Sequence, residues 1–298
     1  MDSGLRKALW VLPAAAMALT IGMQAMASEL DDAVEGYTYI RGERHGAVYV
    51  ATFYNPPTNL MNAGMVAELR DLLTKIEADE ETRVLVFTGG VPNYFIQHYD
   101  VGELDATAAA AVQDASIGAG EALHGTHQAY LQIEALSKPV IAAINGQAHG
   151  GGFELALACD FRIMSDPGSV GLPEVNVGIL PGAGGTVRLP RLIGASRAKE
   201  LILQGLVADA EMAVRYGMVM KAVPADELMD EAMRVANRLA SLPPMSLERV
   251  KKVINASAEL PLKKALRLEE DAFWELMRSE DAIRLMREYV ENNQPGLE

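Results

Sequence analysis

Two hydrophobic rhythms alternate along the first two-thirds of this chain. Val48-Tyr49-Val50-Ala51-Thr52-Phe53-Tyr54 is a run of β-branched and aromatic residues, which predicts a strand over 47–54. Asn55-Pro56-Pro57-Thr58-Asn59 stops it and turns the chain. Met65, Leu69, Leu72, Leu73 and Ile76 recur at helical spacing and predict an amphipathic helix over 63–78. The run Arg83-Val84-Leu85-Val86-Phe87-Thr88 then reads as a buried strand closed by Gly89-Gly90. A second cycle follows a mixed stretch at 95–137: a strand over 139–144, a turn at Asn145-Gly146, a helix beginning at 151–158 and a strand over 160–165. From Ala195 the pattern turns helical, apart from a short strand at Val219–Val223. Helices are expected at 196–204, 209–216, 226–241, 245–258 and 262–290, with a break near Ser279.

Strand and helix in alternation imply an α/β core with sheet pairing across crossovers. The 298 residues divide as 1–27, a signal-peptide leader; 28–36, a flexible polar linker; 37–225, the α/β core; and 226–298, a helical C-terminal region. The leader has Arg6 and Lys7, then an Ala/Met/Leu-rich middle, then Ala25-Met26-Ala27 before Ser28, which is the pattern of a secretory signal cleaved after Ala27. That pattern predicts an exported protein. An uncleaved anchor fits less well, because Pro13, Gly22 and Gln24 interrupt the segment. A start at Met23 or Met26, giving a cytoplasmic chain, is the other alternative.

Charge narrows the partners. With 26 Lys+Arg against 40 Asp+Glu the net charge is −14, which argues against nucleic acid, since phosphate backbones need a basic face. The lone cysteine, Cys159, sits in an apolar setting and reads as a small buried hydrophobe rather than a nucleophile.

The candidate chemistry lies in two glycine-rich stretches. The first is His149-Gly150-Gly151-Gly152-Phe153-Glu154. The second runs from Leu172-Pro173-Glu174-Val175 to Leu180-Pro181-Gly182-Ala183-Gly184-Gly185. Glycines let backbone N–H groups approach a ligand closely, and a carboxylate just inside the following helix can move protons on what they hold. Glu154 and Glu174 are therefore the candidate acid/base pair. His124 and His127 lie one helical turn apart, a spacing that suits a metal, but no third ligand is visible and helix-surface histidines are the simpler reading.

With Lys138-Pro139-Val140-Ile141-Ala142-Ala143-Ile144-Asn145-Gly146, Cys159-Asp160, Gly178, Thr186 and Arg188-Leu189 added, these stretches resemble the crotonase superfamily, the enoyl-CoA hydratase/isomerase family, from about Tyr37 to the C-terminus. The resemblance implies a spiral of ββα units with a helical C-terminal trimerisation region, assembled as a homotrimer or homohexamer. It implies an enolate formed on an acyl thioester, with coenzyme A as part of the substrate and no permanently bound cofactor or metal. It places the oxyanion donors at the backbone N–H groups of Gly151 and Tyr99. Glu154 falls to water activation and Glu174 to proton delivery at the α-carbon. Gln97, His98, His149, Gly150, Pro173 and Gly182 fall around the substrate. The leading expectation is a hydratase. The alternatives are another crotonase reaction, either isomerisation or hydrolysis of a non-CoA carbonyl substrate, and a non-catalytic scaffold on the same fold. The pattern is broken at Ile96-Gln97-His98-Tyr99, where the family has small residues, and His98 stands in place of a glycine. That departure motivates the non-CoA alternative.

Overall fold

The computed structural model describes residue 30, residues 34–119 and residues 122–293. The leader at 1–27 lies outside the described residues. Within the stretch read as a polar linker, Leu30 and Val34 are buried in the main core.

The core is a spiral of strand pairs. A six-stranded sheet takes β1 (Ile40–His45), β2 (Val48–Phe53), β3 (Val84–Gly89), β5 (Val140–Ile144), β7 (Phe161–Ser165) and β10 (Lys221–Val223), in the spatial order β1-β2-β3-β5-β7-β10. A smaller sheet takes β4 (Asn93–Ile96), β6 (Gly146–His149), β8 (Ser169–Gly171) and β9 (Val207–Asp209), in the order β4-β6-β8-β9. From β3 to β8 successive strands fall alternately in the large and the small sheet, as the ββα expectation requires. Pairing is parallel except between β1 and β2 and between β8 and β9. The central strands β2, β3 and β5 read as nearly unbroken apolar runs because both faces are covered.

Helix α1 (Ala63–Ala78) forms where the apolar spacing predicts it. Asn62 caps its start, accepting from Met65 N at 2.8 Å, and Met65, Leu69, Leu72, Leu73 and Ile76 are buried against the sheet. The stretch 95–137 resolves into α2 (Val101–Gln113) and α3 (Gly125–Ala135), followed after β6 by α4 (Gly151–Ala158). Downstream lie α5 (Gly185–Ile193), α6 (Ala195–Gln204), α7 (Ala210–Tyr216) and α8 (Leu228–Ala240). The last three are α9 (Pro244–Ser257), α10 (Leu262–Met277) and α11 (Glu280–Asn293).

Asn145-Gly146 is not the expected turn. Gly146 opens β6, and the Asn145 side chain ties back to the end of β3 instead, accepting from Gly89 N at 3.0 Å. Helix α8 buries a stripe of Leu228, Ala232 and Ala236 on the outer face of the large sheet, against Val48, Val86, Ile141 and Ile163. Cys159 is buried, and burial pushes its thiol up to about 12, so it stays protonated and inert.

Candidate active site

The site is built where α4 meets the loop after β4. Gly150 precedes α4 with φ +48° and ψ −126°, a conformation that L side chains avoid. A Cβ there would lie 2.8 Å from Glu174 Oε1, so glycine is required by backbone and by space. Gly152 lets the helix press onto β4, since a Cβ on it would meet the Ile96 carbonyl at 2.1 Å.

Gly151 is the first residue of α4, where backbone N–H groups have no intrahelical acceptor and the positive end of the helix dipole lies. Its neighbour across the gap is Tyr99: a Cβ placed on Gly151 would lie 3.7 Å from Tyr99 N. Tyr99 forms a bridge with Met61 in which Met61 N donates to His98 O (2.9 Å) and Asp100 N donates to Met61 O (2.7 Å). That leaves the Tyr99 N–H facing the other way, toward α4. The two expected oxyanion donors are thus brought together, and neither N–H has an acceptor among the described residues.

The bulky loop is accommodated by being tied down. Gln97 N donates to Asn59 O at 3.2 Å, and Gln97 O accepts from His149 N at 3.0 Å. His98 Nδ1 lies 2.7 Å from Tyr99 O, and its Cβ would lie 3.7 Å from a Cβ on Gly150. The Tyr99 ring packs on the core, and its hydroxyl donates to Glu103 Oε2 at 3.0 Å. Burial, with Glu103 beside it, pushes that phenol up to about 12. His149 points Nε2 at Ser169 Oγ, 2.9 Å away, and burial, then His98, lowers its pKa.

The two carboxyls are both buried but differ in their hydrogen-bond partners. Glu154, 2% exposed, has Oε1 held by the N–H groups of Ala183 (2.8 Å) and Gly185 (2.7 Å). Burial raises its pKa, while those two donors and the Arg188 charge oppose the rise. Glu174 opens a short 3₁₀ turn (Glu174–Val177) after Pro173, and its Oε2 is buried with no hydrogen-bond partner among the described residues. Burial, followed by the neighbouring Glu154 charge, pushes it up to about 7. Burial raises both carboxyls, but Glu154 has two N–H donors that oppose the rise, whereas Glu174 Oε2 has none. Gly182 contributes its carbonyl to the same loop, accepting from His124 Nε2 at 3.0 Å.

Three contributors were not singled out in the sequence. Tyr130 is fully buried and donates from its hydroxyl to Gly151 O at 2.7 Å, pinning the first turn of α4. Met61 lies against Gly151 and Tyr130. Asn59, fully buried, ties the ends of β2 and β4 together through the carbonyls of Phe53 and Phe95. Tyr130 reads as core by its helical spacing, and only the tertiary fold aims its hydroxyl at α4.

The sequence profile of the enoyl-CoA hydratase/isomerase family matches residues 43–298. The chain belongs to this family. It is 35% identical over 256 residues to a carnitinyl-CoA dehydratase of Citrobacter koseri, an alignment covering 85% of this chain and 95% of that one. It is 36% identical over 250 residues to a short-chain-enoyl-CoA hydratase of Clostridium acetobutylicum, covering 84% and 93%. The crystal structure of an enoyl-CoA hydratase from Bacillus anthracis superposes with a TM-score of 0.78 at 33% identity, covering 87% of this chain and 98% of that one. The protein is an enzyme of the hydratase/isomerase family, and its relatives' names are those of hydro-lyases.

These relatives also overturn the expectation of export. They carry the names of metabolic enzymes that act on coenzyme A thioesters, not of exported proteins.

Proposed function

We propose that the protein adds water reversibly across the α,β double bond of an enoyl-coenzyme A thioester. The observation that carries this reading is the pairing of an N–H-clamped Glu154 with a proton-holding Glu174, beside two N–H groups that await an acceptor. The thioester oxygen sits between the N–H groups of Gly151 and Tyr99, which stabilise the charge that develops there. Glu154 takes a proton from water as its oxygen bonds to the β-carbon. The electron pair of the double bond moves into the enolate held by the two N–H groups. Glu174 then gives its proton to the α-carbon. The two carboxyls finish with their protons exchanged, and exchange with solvent resets them. The reaction needs no resident cofactor, because coenzyme A arrives as part of the substrate.

A double-bond isomerisation needs one carboxyl to shuttle a proton and has no use for a second clamped on water. Retention of both in unlike environments favours hydration. The relatives named as a short-chain-enoyl-CoA hydratase and a carnitinyl-CoA dehydratase support the same class. For assembly we propose a homotrimer or a pair of trimers, supported by the apolar side chains that α10 and α11 leave exposed, among them Leu266, Phe273, Trp274 and Tyr289.

The test is hydration of crotonyl-CoA followed by loss of enoyl-thioester absorbance. Glu154→Gln and Glu174→Gln are each expected to lower kcat by roughly 10²–10⁴. Unchanged rates in both variants, or a wild type that leaves every enoyl-CoA in a chain-length series untouched, would sink the proposal.

A further inference from the structure

His124 and His127 stand outside the acid/base pair, yet they touch the loop that holds it. His124 immediately precedes α3, and its Nε2 lies 3.0 Å from Gly182 O. A carbonyl only accepts, so this nitrogen carries the hydrogen. The same peptide unit, Gly182–Ala183, presents its N–H to Glu154 Oε1 at 2.8 Å. An imidazole N–H therefore leads, through a single peptide group, to the carboxyl assigned to water.

His127 Nδ1 lies 2.8 Å from the same His124 Nε2. Because that nitrogen holds the hydrogen, His127 Nδ1 is a second acceptor sharing it with Gly182 O, and the His127 ring keeps its own hydrogen on Nε2. Burial, then the His124 and Arg188 charges, lowers the His127 pKa, consistent with a neutral acceptor. Among the described residues, no three His, Cys, Asp or Glu side chains gather to hold a metal ion.

We propose that His124 is a positioning residue for Glu154, acting through the Gly182–Ala183 peptide, with His127 fixing the tautomer that makes it a donor. The physical basis is hydrogen-bond cooperativity. A donor on the carbonyl end of an amide enlarges its dipole and strengthens the bond its N–H makes at the other end. A stronger N–H bond favours the ionised form of Glu154, which is the form that accepts a proton from water.

His124 itself and the buried Tyr130 face Glu154. Arg188 of α5 faces both Glu154 and His127, and it is engaged by Glu134 of α3 at 2.7 and 2.9 Å and by Ala183 O at 3.0 Å. Glu174 faces Glu154 from the 3₁₀ turn. When His127 takes up a proton, its Nδ1 becomes a donor facing a donor, and the arrangement opens.

The inference rests on the reading of Glu154 as the group that activates water, and the experiment separates the two. Crotonyl-CoA hydration is measured against pH for His124→Leu, His124→Gln and the wild type, each checked for a wild-type melting curve. His124→Leu is expected to lower kcat by about tenfold with KM within about twofold, and to move the acid limb of kcat to higher pH. His124→Gln, which keeps an N–H donor but does not titrate, is expected to recover most of the rate. A His124→Leu enzyme with the wild-type kcat and acid limb would overturn the proposal, as would an effect on KM alone or a Gln variant no better than Leu. If the wild type hydrates nothing, the reading of the site fails, and the Ala183 amide proton resonance carries the test by itself. His124→Leu should then move it upfield, and an unmoved resonance overturns the inference.

Discussion

Glu174 holds its proton because burial and a neighbouring carboxyl make ionisation costly, and that cost has a sign. Its folded-state pKa of about 7 lies above that of an ordinary glutamate, so between the two values the folded chain binds more protons than the unfolded one. The stabilisation is complete below the ordinary glutamate pKa and is lost as pH rises through about 7. Glu174→Gln removes the ionisation and should raise stability at pH 8 by roughly 1 kcal/mol, a figure discounted because the carboxyl is partly open to solvent. At pH 4, below the ordinary glutamate pKa, the gain should vanish. Urea unfolding at the two pH values checks this, and an equal gain at both would assign the effect to packing instead. The same protonation predicts that hydration falls along an alkaline limb near pH 7 in kcat/KM, and that Glu174→Gln abolishes that limb along with most of the rate. At Gly150, alanine would meet both the positive φ and Glu174 Oε1 at 2.8 Å. We expect Gly150→Ala to cost more than tenfold in kcat/KM while binding of free coenzyme A, measured by calorimetry, changes little.

At the scale of elements, what the sequence reveals depends on length and register. Helix α1 and strands β2, β3, β5 and β7 are legible because each carries its own periodic or continuous apolar signal over five residues or more. Strands β4, β6, β8 and β9 have three or four residues each, and Gly146 and Gly171 lie within them. Nothing local marks them as strands, since their order comes from pairing with one another across long crossovers. The candidate site follows the same division. Its glycines and carboxyls stand out as a motif, whereas Tyr130 and the His124 link to Gly182 exist only once α3 is laid beside α4 and α5. A buried ion pair helps fasten the C-terminal helices to this core: Lys251 of α9 reaches Asp160 Oδ2 at 2.8 Å and donates to the carbonyls of Ile133 and Lys138. Asp160 also accepts from Val140 N at 2.8 Å, and burial raises its pKa despite the lysine. Lys251→Met strands that carboxyl and should destabilise the fold by about 3 kcal/mol. Its deficit should grow with rising pH, because Asp160 must then ionise without a partner. Adding Asp160→Asn should restore part of the loss and flatten the pH dependence, and a deficit indifferent to both would mean that α9 is held by packing alone.

For the whole molecule, the C-terminal helices pose a question that a single chain does not answer. Only Ala272 is buried in α10 and nothing in α11, yet Leu262, Leu266, Phe273, Trp274, Ile283, Tyr289 and Val290 are exposed. An isolated apolar surface residue needs no explanation, but a run of them over two consecutive helices marks an interaction face. The net charge of −14 makes indiscriminate sticking between copies unfavourable, so association has to rest on a fitted apolar face that outweighs the repulsion. In the proposed trimer each copy covers the helices of the next, so the ring closes without leaving such a face open. Static light scattering on the purified protein should therefore give three or six times the mass of one chain. Trp274→Glu places a charge in the middle of the face and should release monomers at micromolar concentration, with the far-ultraviolet spectrum retained, because the site-bearing sheets have their own core. The monomer should lose activity less completely than Glu154→Gln, since α4, Tyr99 and the Glu154 clamp are all held within one chain. A wild type that is monomeric at every concentration would leave the exposed face to another partner and would rule out the ring.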